Sequence, residues 1–388
     1  MSFSALDFRA VHLPPSVGQL RQEVRAFLAA ERAAGTVLGR PDSWLTGWDP
    51  EFSRRLAQRG WVGMTLPRAY GGGGRSTLER HVVLEELLAA GAPVSAHWVA
   101  DRQAGPTILR HGTEAQRNRF LPRIAAGTCF FSIGMSEKES GSDLASVRTR
   151  AERTADGWRL TGTKMWTGGA HVNDHAIVLA RTEDAADRHA GLSQFLVDLR
   201  DPRVHVEPIR LLSGEHTFNS CRLDGVELAD DALLGRPGEG WQQVTGELAL
   251  ERGGPERFLS TLPLLTALVA EVRRAGGGGP EQEARVGRLT ARLASLRQLS
   301  LGVAAASAAG RPADVQAALV KDLGTRFEGD LVNEVREILP TAARSDATPG
   351  SFPELLATAI LHAPGYTLRG GTNEILRGII TRGLELSR

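Results

Sequence analysis

The 388-residue chain has only two cysteines, Cys129 and Cys221; neither belongs to a CxxC pair or lies near histidines at metal-ligand spacing. That scarcity argues against a disulfide scaffold and against a structural zinc site, so no metal is expected, and it fits a reducing cytoplasm. Long apolar runs are missing too: nothing approaches the roughly 18 uninterrupted apolar residues of a membrane span. The first fifteen residues carry Pro14, Pro15 and scattered charge in place of the basic start and apolar run of a signal peptide. Neither charge sign dominates, with 46 Lys plus Arg against 45 Asp plus Glu. Nucleic acid and anionic membrane are therefore not expected as partners, although local clusters leave room for a small acidic ligand. A GxGxxG after a strand, GxxxxGK[ST], HExxH and GxSxG are all absent, which removes the common local signals for nicotinamide binding, phosphoryl transfer, zinc hydrolysis and serine hydrolysis.

What is present is length enough for two or three domains with large apolar cores. Ser16 to Gln19, followed by Leu20, Val24, Phe27 and Leu28, reads as a capping box opening an amphipathic helix. Further helical stretches run through Pro50 to Arg59, Ser76 to Ala90 and Thr113 to Ala126, with breaks at Gly71 to Gly74, Pro67 and Pro93. This helical region occupies residues 1–128. Residues 129–235 change texture, with β-favouring runs at Trp158 to Trp166, His175 to Ala180, Leu192 to Val197, Val204 to Leu211 and Asn219 to Leu228. Turn chemistry such as Ala155-Asp156-Gly157 bounds several of them, so the middle is expected to be a small β domain resembling a barrel. Residues 236–388 return to helical spacing through Gln282 to Ala308, Asp314 to Leu339 and Pro353 to Leu361, broken at Gly276 to Gly279 and Pro340 to Pro353. Helices, then segregated strands, then helices make an α+β chain, which argues against a doubly wound nucleotide-binding sheet.

Three segments in order carry a resemblance: FSIGMSEKESGSD at Phe131 to Asp143, GTKMWTGGAH at Gly162 to His171, and GGTNEILR at Gly370 to Arg377. With the softer match of Phe218 to Gly240, the chain resembles the acyl-CoA dehydrogenase family over nearly its whole length. The resemblance implies an N-terminal helical domain, a central β-barrel-like domain and a C-terminal four-helix bundle. It also implies FAD bound between the latter two and across a subunit interface. The implied reaction is α,β-dehydrogenation of an acyl thioester, carried on CoA or an acyl-carrier protein, in fatty acid or polyketide metabolism. A base takes the α proton while the β hydride goes to flavin N5. An electron-transfer flavoprotein or similar acceptor is implied as partner, within a homodimer, a homotetramer or a hetero-oligomer with a related subunit.

By the same resemblance Met135 and Ser136 line the flavin ring and supply hydrogen bonds to its polar edge. Gly141 and Ser142 let the backbone approach a phosphate or the thioester arm, so Ser142 also serves substrate. Trp166 covers one face of the isoalloxazine. The family commonly has Thr or Ser two places after this Trp to bond flavin N5; this chain has Gly168 there and Thr167 one place early, so a backbone donor or a shifted path is expected. Thr372 and Glu374 match FAD-contacting positions at a helix start, where a plain helix cap is the alternative. Gly370 and Gly371 face substrate.

Many members carry the catalytic Glu immediately before the Gly-Thr of the last motif, where this chain has Gly370. A minority, resembling isovaleryl-CoA dehydrogenase, place it before an Arg in Leu-Glu-Arg, and Leu250-Glu251-Arg252 matches. Glu251 is therefore the expected base, against the alternative of a surface acid in a stretch that also holds Glu247 and Glu256. Arg252 is expected to hold the helix or to contact substrate and flavin. The family's Arg-x-x-Phe-Gly and Gln-x-x-Gly-Gly segments are missing, leaving open a subunit that holds FAD at only some interfaces of a hetero-oligomer. A non-catalytic structural subunit and a flavin oxidase or monooxygenase are the other readings. His171, His205, His216 and His362 are dispersed and read as structural or exposed.

Overall fold

The computed structural model describes residues 11–385, with the side chains of residues 248–251 outside the description. The chain forms two compact units, each assembled from separated stretches: residues 1–47, 76–93 and 249–388 in one, and 48–75 and 94–248 in the other.

The second unit is built on an eight-stranded sheet in the order β6-β7-β3-β2-β4-β5-β8, with β1 on β4. The strands are β1 (Phe131–Gly134), β2 (Arg150–Thr154), β3 (Gly157–Gly168), β4 (His175–Arg181), β5 (Leu192–Asp198), β6 (Val204–Arg210), β7 (His216–Ala229) and β8 (Leu233–Leu234). All pairings are antiparallel except β1 with β4 and the single pair joining β2 to β4. β4 is buried on both faces, as its run of His-Ala-Ile-Val-Leu-Ala demands. Ala176 and Val178 join Trp158, Phe195 and Val226 in one core. Ile177, on the opposite face, packs with Ile108, Phe120, Leu121 and Ile124, which come from α6 (Gly105–His111) and α7 (Glu114–Ala125). Alternation along one strand thus joins a sheet core to a helical layer. Thr113 caps α7 in a reciprocal box with Gln116, whose amide also donates to the carbonyls of Asp231 at 2.6 Å and Leu233 at 2.9 Å.

The first unit is helical: α1 (Pro15–Ala33), α2 (Ser43–Thr46), α4 (Thr77–Ala89), α9 (Leu262–Arg274), α10 (Pro280–Ala308), α11 (Asp314–Ile338), α12 (Phe352–Tyr366) and α13 (Asn373–Gly383). α3 (Pro50–Gln58) and α5 (Ser95–Val99) belong to the other unit, and α8 (Gly240–Arg252) runs across the boundary. α4 is buried almost all round, including Glu85 and Glu86. Those carboxylates survive burial because Arg21 and Arg25 of α1 and Arg297 of α10 pair with them. The capping box expected at Ser16 does not form. α1 starts one residue earlier with Pro15 at its first position, and Pro14 as N-cap has no side-chain acceptor. A proline there has no amide to satisfy, so Ser16 has no capping duty. The boxes that do form are Ser76 with Glu79 and Thr113 with Gln116. No helix among the described residues is long and apolar enough to cross a membrane.

Ser76→Ala removes only a cap and is expected to cost about 1 kcal/mol. Gln116→Ala also strands two carbonyls, and about 2 kcal/mol or more is expected. Urea denaturation of both variants checks the order; equal losses would mean that the carbonyl contacts are idle.

Candidate active site

In the sheet unit the decisive feature is a bulge in β3. Lys164 pairs with Cys221 and Thr167 with Asn219, so β3 spends one residue more than β7 over this interval. Strict alternation would put Lys164 and Trp166 on one face. Instead Lys164 is 1% exposed and Trp166 is 55% exposed, with Trp166 in the left-handed region at φ 60°. A bulky residue there is strained, by about 1–3 kcal/mol, and is found where the surroundings impose it. Here Met165 N donates to Ser136 O at 2.8 Å, Asn219 Nδ2 donates to Thr167 O at 2.9 Å, and Phe218 meets the indole edge-on at 6.0 Å. The result is a large aromatic face presented outward from a rigid sheet.

Beneath it lies a buried ion pair. Lys164 Nζ donates to Glu137 Oε1 at 2.8 Å and to the Met135 carbonyl at 3.0 Å, while the amides of Arg148 and Thr149 donate to the same carboxylate. Burial pulls the Lys164 ammonium down to about 8 against the opposing pull of Glu137. Burial pushes Glu137 up, but Lys164 and the donors outweigh it and hold the carboxyl below its usual range. The Ser136 amide, next along the chain, donates to no acceptor among the described residues. Gly141 and Ser142 follow, exposed, where a side chain on Gly141 would meet nothing within 4 Å.

In the helical unit, Gly370 and Gly371 form a left-handed turn at φ 69° and 90°. Three side chains fasten it. Arg252 Nε donates to Gly370 O at 3.3 Å; Lys321 Nζ donates to Thr367 O at 2.8 Å and to Asn373 Oδ1 at 2.6 Å; Arg369 Nη1 donates to both oxygens of Asp42 at 2.7 and 2.9 Å. The Arg369 guanidinium also lies over the rings of Trp44 and Tyr366. Burial pushes Asp42 up, yet Arg369 and His362 prevail and keep it ionised below the ordinary carboxylate range. Glu328, buried nearby with Oε1 accepting from Ser260 N at 2.7 Å, is pushed by burial up to about 8. The Thr372 hydroxyl accepts from Ile375 N at 3.5 Å and so caps α13, the alternative weighed for it. Glu374 is exposed, and the local amide and Thr372 hold its carboxyl low. Glu251 lies in α8, but its side chain is outside the described residues.

Models of the N-terminal, middle and C-terminal domains of acyl-CoA dehydrogenases match residues 15–128, 132–226 and 238–385. The chain belongs to the acyl-CoA dehydrogenase family. It is 35% identical to acyl-CoA dehydrogenase IpdE1 of Mycobacterium tuberculosis, over 96% of this chain and 98% of that protein. With FadE29 of the same organism it shares 33% identity, over 86% of this chain and 88% of the relative. Among solved structures, the Tcur3481-Tcur3483 steroid ACAD superposes with a TM-score of 0.87 at 28% identity, covering 97% of this chain and 99% of that one. The ChsE4-ChsE5 complex from Mycobacterium tuberculosis gives 0.83 at 29% identity, covering 98% and 100%. The expected fold stands: helical N-terminal, β middle and helical C-terminal domains.

Acyl-CoA dehydrogenases are FAD-dependent oxidoreductases acting on CH–CH groups. The residues here fit FAD: an exposed indole for a planar ring, and an amide at Ser136 with no acceptor among the described residues. One expected contact changes character. The bulge turns Thr167 inward: the residue is 1% exposed, its side chain lies beside the Cys221 thiol and its carbonyl is taken by Asn219, so the expected contact from this residue is not offered. The Gly168 carbonyl is likewise taken, by Ser132 Oγ at 2.7 Å. Sequence reasoning missed Glu137, Lys164, Asn219, Asp42 and Arg369. The first two lay inside the quoted motifs, as charged residues in buried strand and turn positions, which was a readable signal. His171 and His216, dispersed in sequence, stack at 3.7 Å around Asn219, and His362 is buried on Asp42.

Because the folded Glu328 titrates near 8 against a reference of 4.5, its contribution to stability is full below about 4.5 and is lost as pH rises through 8. Glu328→Gln keeps an acceptor for Ser260 and is expected to flatten the decline between those values. Urea midpoints at pH 5, 6.5 and 8 check it; parallel slopes in both proteins refute it.

Proposed function

We propose that this chain catalyses FAD-dependent α,β-dehydrogenation of an acyl-CoA, with Glu251 as the base. The observation that carries the reading is the glycine turn. Where many members carry their catalytic Glu, the backbone sits at φ 69°, a conformation that a glutamate would hold only under strain. Leu250-Glu251-Arg252 supplies the carboxylate at the alternative position, one residue before the arginine that binds the Gly370 carbonyl. In this reading Glu251 accepts the α proton, within hydrogen-bond reach of the substrate carbon. FAD, when bound, supplies the two-electron acceptor that takes the β hydrogen. Met135, Ser136 and Trp166 would seat its ring, and Gly141 and Ser142 leave open backbone for a phosphate or the thioester arm. Thr372 and Glu374 mark the second contact, at the start of α13, and Arg252, Gly370 and Gly371 bound the acyl group. The steroid ACAD among the structural relatives supports a ring-bearing acyl group. An electron-transfer flavoprotein or similar acceptor is the redox partner this reading expects.

A second reading concerns assembly. Arg-x-x-Phe-Gly and Gln-x-x-Gly-Gly are absent, and two of the structural relatives are named as pairs, Tcur3481-Tcur3483 and ChsE4-ChsE5. We infer a hetero-oligomer in which a related subunit completes the FAD site. Purified alone, the chain would then be colourless and turn yellow only with its partner.

Glu251→Gln, in whichever assembly is yellow, is expected to keep flavin absorbance while anaerobic bleaching by acyl-CoA slows about 10²–10⁴-fold. Bleaching at the parent rate would remove Glu251 from the mechanism. Acyl-carrier-protein thioesters in the same panel decide the carrier, and stoichiometric peroxide without an acceptor would mark an oxidase.

A further inference from the structure

Stability does not account for the buried pair of Lys164 and Glu137. Replacing a buried ion pair by well-packed apolar residues is often neutral or stabilising. The pair is nonetheless tightly specified. Glu137 is fixed by two backbone amides at 2.7 and 2.9 Å, and Gly134 leaves room for the Lys164 stem, since a Cβ there would sit 3.3 Å from Lys164 Cγ. The second ammonium contact is the Met135 carbonyl, at 3.0 Å. That carbonyl and the Ser136 amide are the two ends of one peptide. A cation on the oxygen withdraws density through the conjugated unit and makes the N–H a stronger donor, by about 10–30% per bond in condensed phase. The amide so strengthened is the one without an acceptor among the described residues.

We propose that Lys164, held by Glu137, is a positioning residue that polarises the Met135–Ser136 peptide, so that the Ser136 amide binds the reduced flavin more tightly than the oxidised one. The inference rests on the reading that the flavin's polar edge lies against Met135 and Ser136. Reduction adds negative charge to that edge, and a strengthened donor stabilises it preferentially. Glu137 confines the effect: it cancels the ammonium charge at a distance while leaving the contact with the carbonyl intact.

The test compares midpoint potentials and FAD affinities of the yellow holoprotein with those of Lys164→Met and of Lys164→Met/Glu137→Gln, using equilibrium reduction against a dye of known potential. The double variant leaves no uncompensated buried carboxylate, which protects the experiment if the single variant fails to fold. Both are expected to shift the potential negative, the preference for reduced over oxidised FAD falling on the order of tenfold, as for weakening one hydrogen bond to a charged group. An equal loss of affinity for both forms, with the potential unmoved, would show a purely structural pair and overturn the proposal. Trp166→Ala separates the two levels. If it leaves the bound flavin's absorbance and fluorescence unchanged, the flavin lies elsewhere and both readings fall; if it perturbs them while the Lys164 variants do not move the potential, only this proposal falls.

Discussion

One additional residue in β3 governs the candidate site of the sheet unit. Without the bulge, Lys164 and Trp166 would share a face, and either the ammonium would lose its buried acceptors or the indole would fill the core. With it, a single short segment carries a buried charge inward and a large aromatic outward. The strain of a left-handed tryptophan is offset by contacts on both sides of it, from Met165 N to Ser136 O and from Asn219 Nδ2 to Thr167 O. Those contacts tie the Ser136 segment to the Trp166 strand. The indole face and the Ser136 amide are thereby held in fixed relation by the backbone, which suits a planar ligand better than flexible side chains would.

The helical unit solves a different problem. Gly370 and Gly371 have no side chains with which to fix their own shape, and free glycine is the most costly residue to order. Order comes from charges placed around the turn: Arg369 on Asp42, Lys321 on Asn373 and the Thr367 carbonyl, and Arg252 on the Gly370 carbonyl. Burying so much charge is tolerable only because each group meets a partner of opposite sign or a backbone dipole. Glu328 is handled differently: although Oε1 accepts from Ser260 N, burial, with the ionised Asp42 adding to it, pushes its carboxyl up to about 8.

Much of the fold was readable because periodicity and local chemistry agreed. The long helices at Pro280–Ala308 and Asp314–Ile338, and the apolar strands β4 and β5, fell within a few residues of expectation. Elements whose own sequence argues against them were not readable. β2 is Arg-Ala-Glu-Arg-Thr and owes its state to β3, and the turn of π-helix at Ala100–Ala104 carries Asp101, Arg102 and Gln103 in a helical layer. At the site, motif resemblance picked out Trp166, Ser136 and Gly370, but not what holds them. Lys164 meets Glu137 across 27 residues and Arg369 meets Asp42 across 327, pairings that no local pattern encodes. Ser16 shows the converse: the capping pattern was present, and a proline one place earlier made it redundant.

The glycine turn and the choice of base belong together. A carboxylate on residue 370 would require a backbone that a glutamate disfavours, beside an arginine already bound to that residue's own carbonyl. Under the proposal that Glu251 is the base, residue 370 has no carboxylate to carry and is free to hold the left-handed turn, whose Gly370 carbonyl is bound at 3.3 Å by Arg252, the residue that follows that glutamate in the chain.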